Sequence, residues 1–140
     1  MSSFRMLAAV MMLLALAGCA GQNGQEDAGA APYSDAQEVV KGATYSNMTA
    51  NEFKDALGEK DFFLVDTHIP EQEHIAGTDA FIPYNEIMGR LGELPADKDA
   101  KIVLYCRSGS MSELAAKELA AFGYTNVYSV VGGKKAFDST

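Results

Sequence analysis

Two short stretches, Phe62-Phe63-Leu64-Val65 and Ile102-Val103-Leu104-Tyr105, carry apolar side chains at successive positions, with no polar residue alternating between them. A strand of that kind has to be buried on both faces, so the sheet it belongs to needs helices on each side. The intervening segments can supply them. Thr49-Ala50-Asn51-Glu52 is a capping box followed by Phe53, Ala56 and Leu57 at helical spacing, with Gly58 as the stop. Tyr84 to Leu91 reads as a short helix closed by Gly92. Ser110-Met111-Ser112-Glu113 reads as a second capping box, opening a helix with Met111, Leu114, Ala115, Leu119 and Phe122 on one face and Gly123 at its end. A short edge strand is expected around Ala80-Phe81-Ile82-Pro83, a further strand over Asn126 to Val131, and a last helical turn after Gly132-Gly133. Strands alternating with helices at this spacing predict an α/β fold with a parallel sheet covered on both faces.

The front of the chain reads differently. Arg5 precedes an uncharged apolar run from Met6 to Leu16, too short to span a bilayer, where about 20 residues are needed. Residues 1–18 are therefore expected to be an export signal. Leu16-Ala17-Gly18-Cys19 resembles the bacterial lipoprotein box, which implies cleavage before Cys19 and a lipid on its sulfur. Residues 19–42, rich in Gly, Gln, Ala and acids, carry no hydrophobic period and are expected to be a flexible tether. That leaves residues 43–140 as the folded domain, enough for one core. An exported, lipid-anchored protein results, and Ala20 after the lipidated Cys favours the periplasmic face of the outer membrane where two membranes exist.

Charge narrows the partners. The chain carries 11 Lys and Arg against 19 Asp and Glu, a formal net charge of −8. Losing Arg5 with the signal would leave 10 against 19, or −9. Nucleic acid is disfavoured, and membrane attachment must come from acyl chains, not from an electrostatic grip on lipid. Nothing in the pattern calls for a cofactor, and the domain is expected to be a monomer.

The two cysteines of an exported chain would ordinarily suggest a disulfide. If Cys19 carries lipid, Cys106 has no partner, and a free thiol in an oxidising compartment is either buried and inert or kept for its reactivity. Cys106 sits where an open α/β sheet places its ligands, at the carboxyl end of a strand and before a helix. The intervening loop, Arg107-Ser108-Gly109, is short, polar and glycine-containing. Its successive backbone N–H groups can curl into an anion-binding nest that stabilises negative charge on sulfur, and Arg107 adds a full charge. An anionic substrate would be drawn to the same cradle. The plainer alternative is a buried Cys ending a core strand.

Residues about 44–137 resemble a rhodanese domain, the sulfurtransferase fold. Tyr105-Cys106-Arg107-Ser108-Gly109 is similar to its active loop, Phe63-Leu64-Val65-Asp66 to its strand ending in Asp, and His74-Ile75-Ala76-Gly77 to its Gly-His-Ile-Pro-Gly segment. Phe122 to Val127 and Val131-Gly132-Gly133 are similar to the closing strand and turn. The resemblance implies a parallel sheet of about five short strands flanked by helices. It implies Cys106 as the catalytic residue, with Arg107, Ser108, Gly109, Ser110, Met111 and Ser112 binding substrate. The implied reaction passes a sulfane sulfur from thiosulfate, a persulfide or a polysulfide, through a Cys106 persulfide, to a thiol or cyanide. Thr67-His68 replaces the family's Val-Arg, Glu73 its Gly, Phe137 its closing Trp, and Met111 an Arg found in many members. Fewer cations at the rim make thiosulfate a weaker expectation than persulfide chemistry itself.

Two rival readings stay open. A tethered thiol domain that senses oxidants or docks a partner would need no turnover. A Cys-dependent phosphatase or arsenate reductase would need an Arg clamp six residues after the Cys, where this chain has Ser112. The spacing of His68 and His74 among Asp66, Glu71 and Glu73 fits no structural zinc site, so no metal is expected. His74 is expected to make a structural hydrogen bond, His68 to sit in solvent, the acids to form a solvated loop and Asp66 to order the turn after its strand. Tyr84, Tyr124 and Tyr128 read as packing residues. Lys134-Lys135 reads as a solvated helix end that, near the mouth of the site, would attract anions.

Overall fold

The structure is a computed structural model and describes residues 44–140, so the expected signal, Cys19 and the tether lie outside the described residues. Five parallel strands make one sheet: β1 (Ser46–Met48), β2 (Phe63–Asp66), β3 (Ala80–Phe81), β4 (Ile102–Tyr105) and β5 (Val127–Val130), in the order β1-β5-β4-β2-β3. The helices are α1 (Ala50–Gly58), α2 (Ser110–Ala121) and α3 (Gly133–Phe137), with a 3₁₀ segment over Tyr84–Glu93. The α/β architecture is the one the two apolar runs demanded.

Alternation along the strands explains why those runs needed no polar residues. In β4, Ile102 and Leu104 point to one side of the sheet, into a core with Val65 of β2, Ile87 of the 3₁₀ segment and Ala115, Ala116 and Leu119 of α2. Val103 and Tyr105 point to the other, into a core with Leu64, Phe53 and Val130, against which Phe137 of α3 packs. All four β4 side chains are fully buried. β4 is central, paired with β2 in the register Phe63↔Ile102 to Asp66↔Tyr105 and with β5 from Ile102↔Val127 to Leu104↔Ser129. Phe137 packs against this second core, its ring 5.4 Å from Phe53 at 57°.

The Thr49 box forms as expected. The Thr49 hydroxyl accepts from the Glu52 N–H at 3.3 Å, and the Glu52 carboxylate accepts from the Thr49 N–H at 2.8 Å. Other details differ from the sequence reading. β1 was not foreseen, because Ser46-Asn47-Met48 buries only Met48 and pairs at an edge. The Tyr84 segment is 3₁₀, broken at Arg90 (φ −121°, ψ 27°), where a regular helix was expected. Ser110 does not cap α2. It is the first helical residue, and Gly109 stands in the cap position at φ +100° without a side-chain bond. The buried face of α2 is Ser112, Ala115, Ala116, Leu119 and Ala120, while Leu114 is 49% exposed. Ala115 and Leu119 are buried as the helical spacing predicts, whereas Met111 and Phe122 are half-buried, and the small side chains of Ser112, Ala116 and Ala120 complete the face against the sheet.

Chain order changes direction between β2 and β4, since β2 leads outward to β3 and β4 leads outward to β5. At such a switch point two loops diverge from neighbouring carboxyl ends and leave a crevice. Asp66, Cys106 and the turn at Val131-Gly132 all lie at that edge.

Candidate active site

Cys106 leaves β4 with only 1% of its surface exposed. The loop after it turns back, so that the Gly109 N–H donates to Cys106 Sγ at 3.0 Å. This is a short N–H to sulfur contact, and it directs a dipole at the atom that would carry negative charge. Gly109 can do this because its φ of +100° is open to glycine, and a Cβ there would stand 3.0 Å from the Gly132 nitrogen.

The opposite side of the loop is held by α3. The Lys134 N–H donates to the Cys106 carbonyl at 2.8 Å, and the Lys135 N–H donates to the Arg107 carbonyl at 3.0 Å. In a trans peptide, C=O and N–H point in opposite directions. Pinning these two carbonyls toward α3 therefore turns the N–H groups of Arg107 and Ser108 away from it. The approach is close enough to exclude any side chain at Gly133 (φ +56°), where a Cβ would stand 2.3 Å from the Cys106 oxygen and 2.8 Å from the Arg107 carbonyl carbon. Behind the loop, the Gly109 carbonyl accepts from the Glu113 N–H at 3.1 Å and the Ser112 hydroxyl at 3.0 Å. Ser112 is fully buried and also bonds Ser129 at 2.9 Å.

The structure thus sorts the residues named from the sequence. Arg107, Ser108 and Ser110 are exposed around the loop, Gly109 holds the sulfur, Met111 is half-buried and Ser112 sits behind the loop. A cavity of about 430 Å³ lies on one flank, lined by Arg107, Lys134, Lys135, Gln72, Glu73 and Asp138 among others. A second, of about 330 Å³, lies along Ser108, Gly109 and Ser110 on the side of Tyr45 and Val131. Lys134 and Lys135 are thereby beside the loop, in the position that would attract anions.

Neighbouring strand ends brace this edge. Asp66 is fully buried and accepts from the His68 N–H at 3.0 Å, from the Gln72 amide at 3.2 Å and from His74 Nδ1 at 2.9 Å. It orders the turn as expected. The other His74 nitrogen faces Glu71 at 3.0 Å, so both ring nitrogens are engaged; Asp66 is buried, while Glu71 and Glu73 are exposed as expected of a solvated loop. The bond to Asp66 is the largest influence on His74 and raises its pKa, partial burial opposing and Glu71 adding to the rise. His68 departs from expectation: it is half-buried, and its buried Nδ1 has no hydrogen-bond partner among the described residues. Tyr105 accepts from the Ile75 N–H at 2.9 Å and shares a hydrogen bond of 2.8 Å with Thr78. Burial pushes its phenol up to about 12, so it stays a neutral strut.

The family model described as the Rhodanese-like domain matches residues 49–140. The chain belongs to the rhodanese-like family. It is 34% identical over 73 residues to the thiosulfate sulfurtransferase PspE of Escherichia coli, covering 50% of this chain and 69% of that one. It is 34% identical over 76 residues to a sulfurtransferase of Allochromatium vinosum, covering 53% of this chain and 69% of that one. Its fold matches the crystal structure of a rhodanese-like domain protein from Staphylococcus aureus with a TM-score of 0.58 at 26% identity, over 66% of this chain and 90% of that one.

Within the rhodanese-like domain, the contribution of α3 was not read from the sequence. Two adjacent glycines between a strand and a helix were the available signal, since such a pair allows positive φ and a close backbone approach. Gly133→Ala is expected to lower stability by about 1–3 kcal/mol through the αL strain and the clash with Cys106 and Arg107. It should also slow alkylation of Cys106, as measured by urea unfolding and by thiol labelling. His74, with its pKa raised in the folded state, contributes stability that is fully present below about pH 6.5. That contribution is lost as pH rises through the higher folded-state value. Wild type should therefore lose stability relative to His74→Gln as pH rises from about 6.5 through that folded-state value in pH-resolved urea midpoints, and parallel curves would show the bond to be neutral.

Proposed function

We propose that the protein is a sulfurtransferase that carries a sulfane sulfur on Cys106. The observation that carries this reading is the Gly109 N–H held 3.0 Å from Cys106 Sγ in a loop whose carbonyls are tied to α3. Such a loop points a backbone N–H at the sulfur that attacks the donor and at the anionic persulfide that follows. In the first step the Cys106 thiolate attacks the outer sulfur of a donor such as thiosulfate. The new bond is Cys106 S–S, the broken bond is the donor's S–S, and sulfite leaves with that bonding pair. In the second step an acceptor thiolate or cyanide attacks the outer sulfur of the persulfide, giving an acceptor persulfide or thiocyanate and returning the Cys106 thiolate. Each step moves one sulfur atom and needs no outside oxidant. The names of the sulfurtransferases it resembles support the reaction class, and the loop supports Cys106 as its centre.

A phosphatase reading lacks support at residue 112, where the Ser112 hydroxyl is occupied with Gly109 and Ser129 behind the loop. The thiol-sensor reading makes a different prediction from turnover. Purified protein incubated with thiosulfate or polysulfide is expected to gain one sulfur mass at Cys106, lost again on adding cyanide with release of thiocyanate. Cys106→Ser should gain nothing. No adduct with either donor in the wild type would rule out sulfur transfer and leave the sensor.

We also propose that the protein works from a bacterial membrane, on the strength of Leu16-Ala17-Gly18-Cys19. Metabolic labelling with palmitate in a bacterial host should mark the full chain and move it to the membrane fraction. Cys19→Ser should abolish both, and label that persists in the variant would refute lipidation at this residue.

A further inference from the structure

The two flanks of the Cys106 loop differ in charge. On the α3 side, Arg107, Lys134 and Lys135 line one cavity with Glu73 and Asp138. On the β1 side, the one charged side chain among the described residues lining the cavity is Glu113. The α3 lysines are not placed there by loose side chains alone. Their own backbone N–H groups hold the Cys106 and Arg107 carbonyls, which fixes the two Cα positions directly against the loop. Lys134 pairs with Asp138 at 2.7 Å, whereas Lys135 is exposed and has no ion pair among the described residues.

The rest of the chain makes this asymmetry matter. With a net charge of −8, the protein as a whole repels anions. The loop supplies one cation of its own, Arg107, because Ser108, Ser110 and Met111 are uncharged. At physiological salt, screening cuts interactions off beyond about 8 Å, so what an approaching donor meets is set by the charges immediately around the sulfur. The α3 flank carries Arg107, Lys134 and Lys135 against Glu73 and Asp138, an excess of one positive charge, whereas the β1 flank carries Glu113.

We propose that Lys134 and Lys135 act with Arg107 as the entry for anionic sulfur donors, selecting negatively charged sulfane compounds over uncharged ones at Cys106. This rests on the sulfurtransferase reading. It goes further by assigning the donor class to charge, the entry to one flank, and specificity to two α3 side chains outside the loop. The lysines position and select the donor, while the bond exchange remains that of Cys106.

The test separates charge from chemistry. In the full-length protein, the rates at which Cys106 is alkylated by iodoacetate (an anion) and by iodoacetamide (uncharged, nearly the same shape) are compared by mass measurement of the Cys106 peptide. Lys134→Gln/Lys135→Gln should lower the iodoacetate-to-iodoacetamide ratio about three- to ten-fold, with most of the change in the iodoacetate rate. Lys135→Gln alone, at an exposed position, should give part of that fall with unfolding midpoints unchanged. Lys134→Arg/Lys135→Arg should restore the ratio, and molar salt should abolish the wild-type preference. With thiosulfate as donor, the double Gln variant should raise KM by a similar factor and leave kcat comparatively unaffected. An unchanged ratio, or an equal slowing by both reagents, would overturn the proposal while Cys106 persulfide still forms. Failure of the wild type to form a persulfide with any donor would overturn both this reading and the sulfurtransferase assignment beneath it.

Discussion

Two hydrogen bonds from the start of α3 hold the carbonyls of Cys106 and Arg107, and the shape of the site follows from them. A loop free to relax would turn its peptide planes at random, and its N–H groups would pair with water. With the carbonyls secured on one side and Gly109 secured behind by Ser112 and Glu113, the plane that ends in the Gly109 N–H has its direction set before any substrate arrives. This is preorganisation in its simplest form: the dipole that stabilises charge on sulfur is already aimed, so no reorganisation has to accompany the reaction. Gly109 and Gly133 are consequences of the same closeness. One supplies the turn and the other the clearance: a Cβ at Gly109 would press on the Gly132 nitrogen at 3.0 Å, and Gly133 has no room for one.

The loop can be held this way because the sheet beneath it is packed on both faces. β4 is paired on each side and its four side chains alternate between two cores. The strand that delivers Cys106 therefore has little freedom to slide or twist. Its neighbour β2 ends in Asp66, whose buried carboxylate takes a backbone N–H, an amide and an imidazole. An uncompensated carboxylate there would be costly. Its three partners explain why the turn after β2 is ordered and why the His74 ring lies against it, with Glu71 bonding the outer nitrogen of that ring from the exposed side.

What the sequence revealed, and what it hid, divides along a physical line. Features made by neighbours in the chain were legible: the apolar runs of β2 and β4, the Thr49–Glu52 box, and the strand–Cys–loop–helix order around Cys106. Features made by distant partners were not. β1 becomes a strand because β5 offers it an edge, as three residues with one buried side chain carry no signal of their own. Ser110 looks like a cap by spacing, yet Gly109 takes that position because its backbone is needed at the sulfur. His68 looked like a surface residue in an acidic stretch, but the turn fixed by Asp66 carries its ring partly inside. The pinning of the loop by α3 was the largest omission. Residues 106 and 134 are far apart in sequence, and only the paired glycines at 132 and 133 hinted that two backbones meet.

Charge gives the last step. A domain with this many acids is a poor collector of small anions, yet a nest of N–H groups attracts anions from short range only. Backbone dipoles fall off faster with distance than full charges do, so the Gly109 N–H acts on charge at the sulfur itself and would contribute little to drawing a donor in. Some full positive charge close to Cys106 is then needed for an anionic donor to arrive at a useful rate. Arg107 is part of it, and α3 carries the rest at the place where its backbone already touches the loop. The same short helix therefore joins two requirements that have separate physical origins. Its N–H groups set the direction of the loop's dipoles, and its side chains set the field at the entrance. That coupling also separates them experimentally, because exchanging a lysine for glutamine leaves the backbone N–H in place and changes only the field.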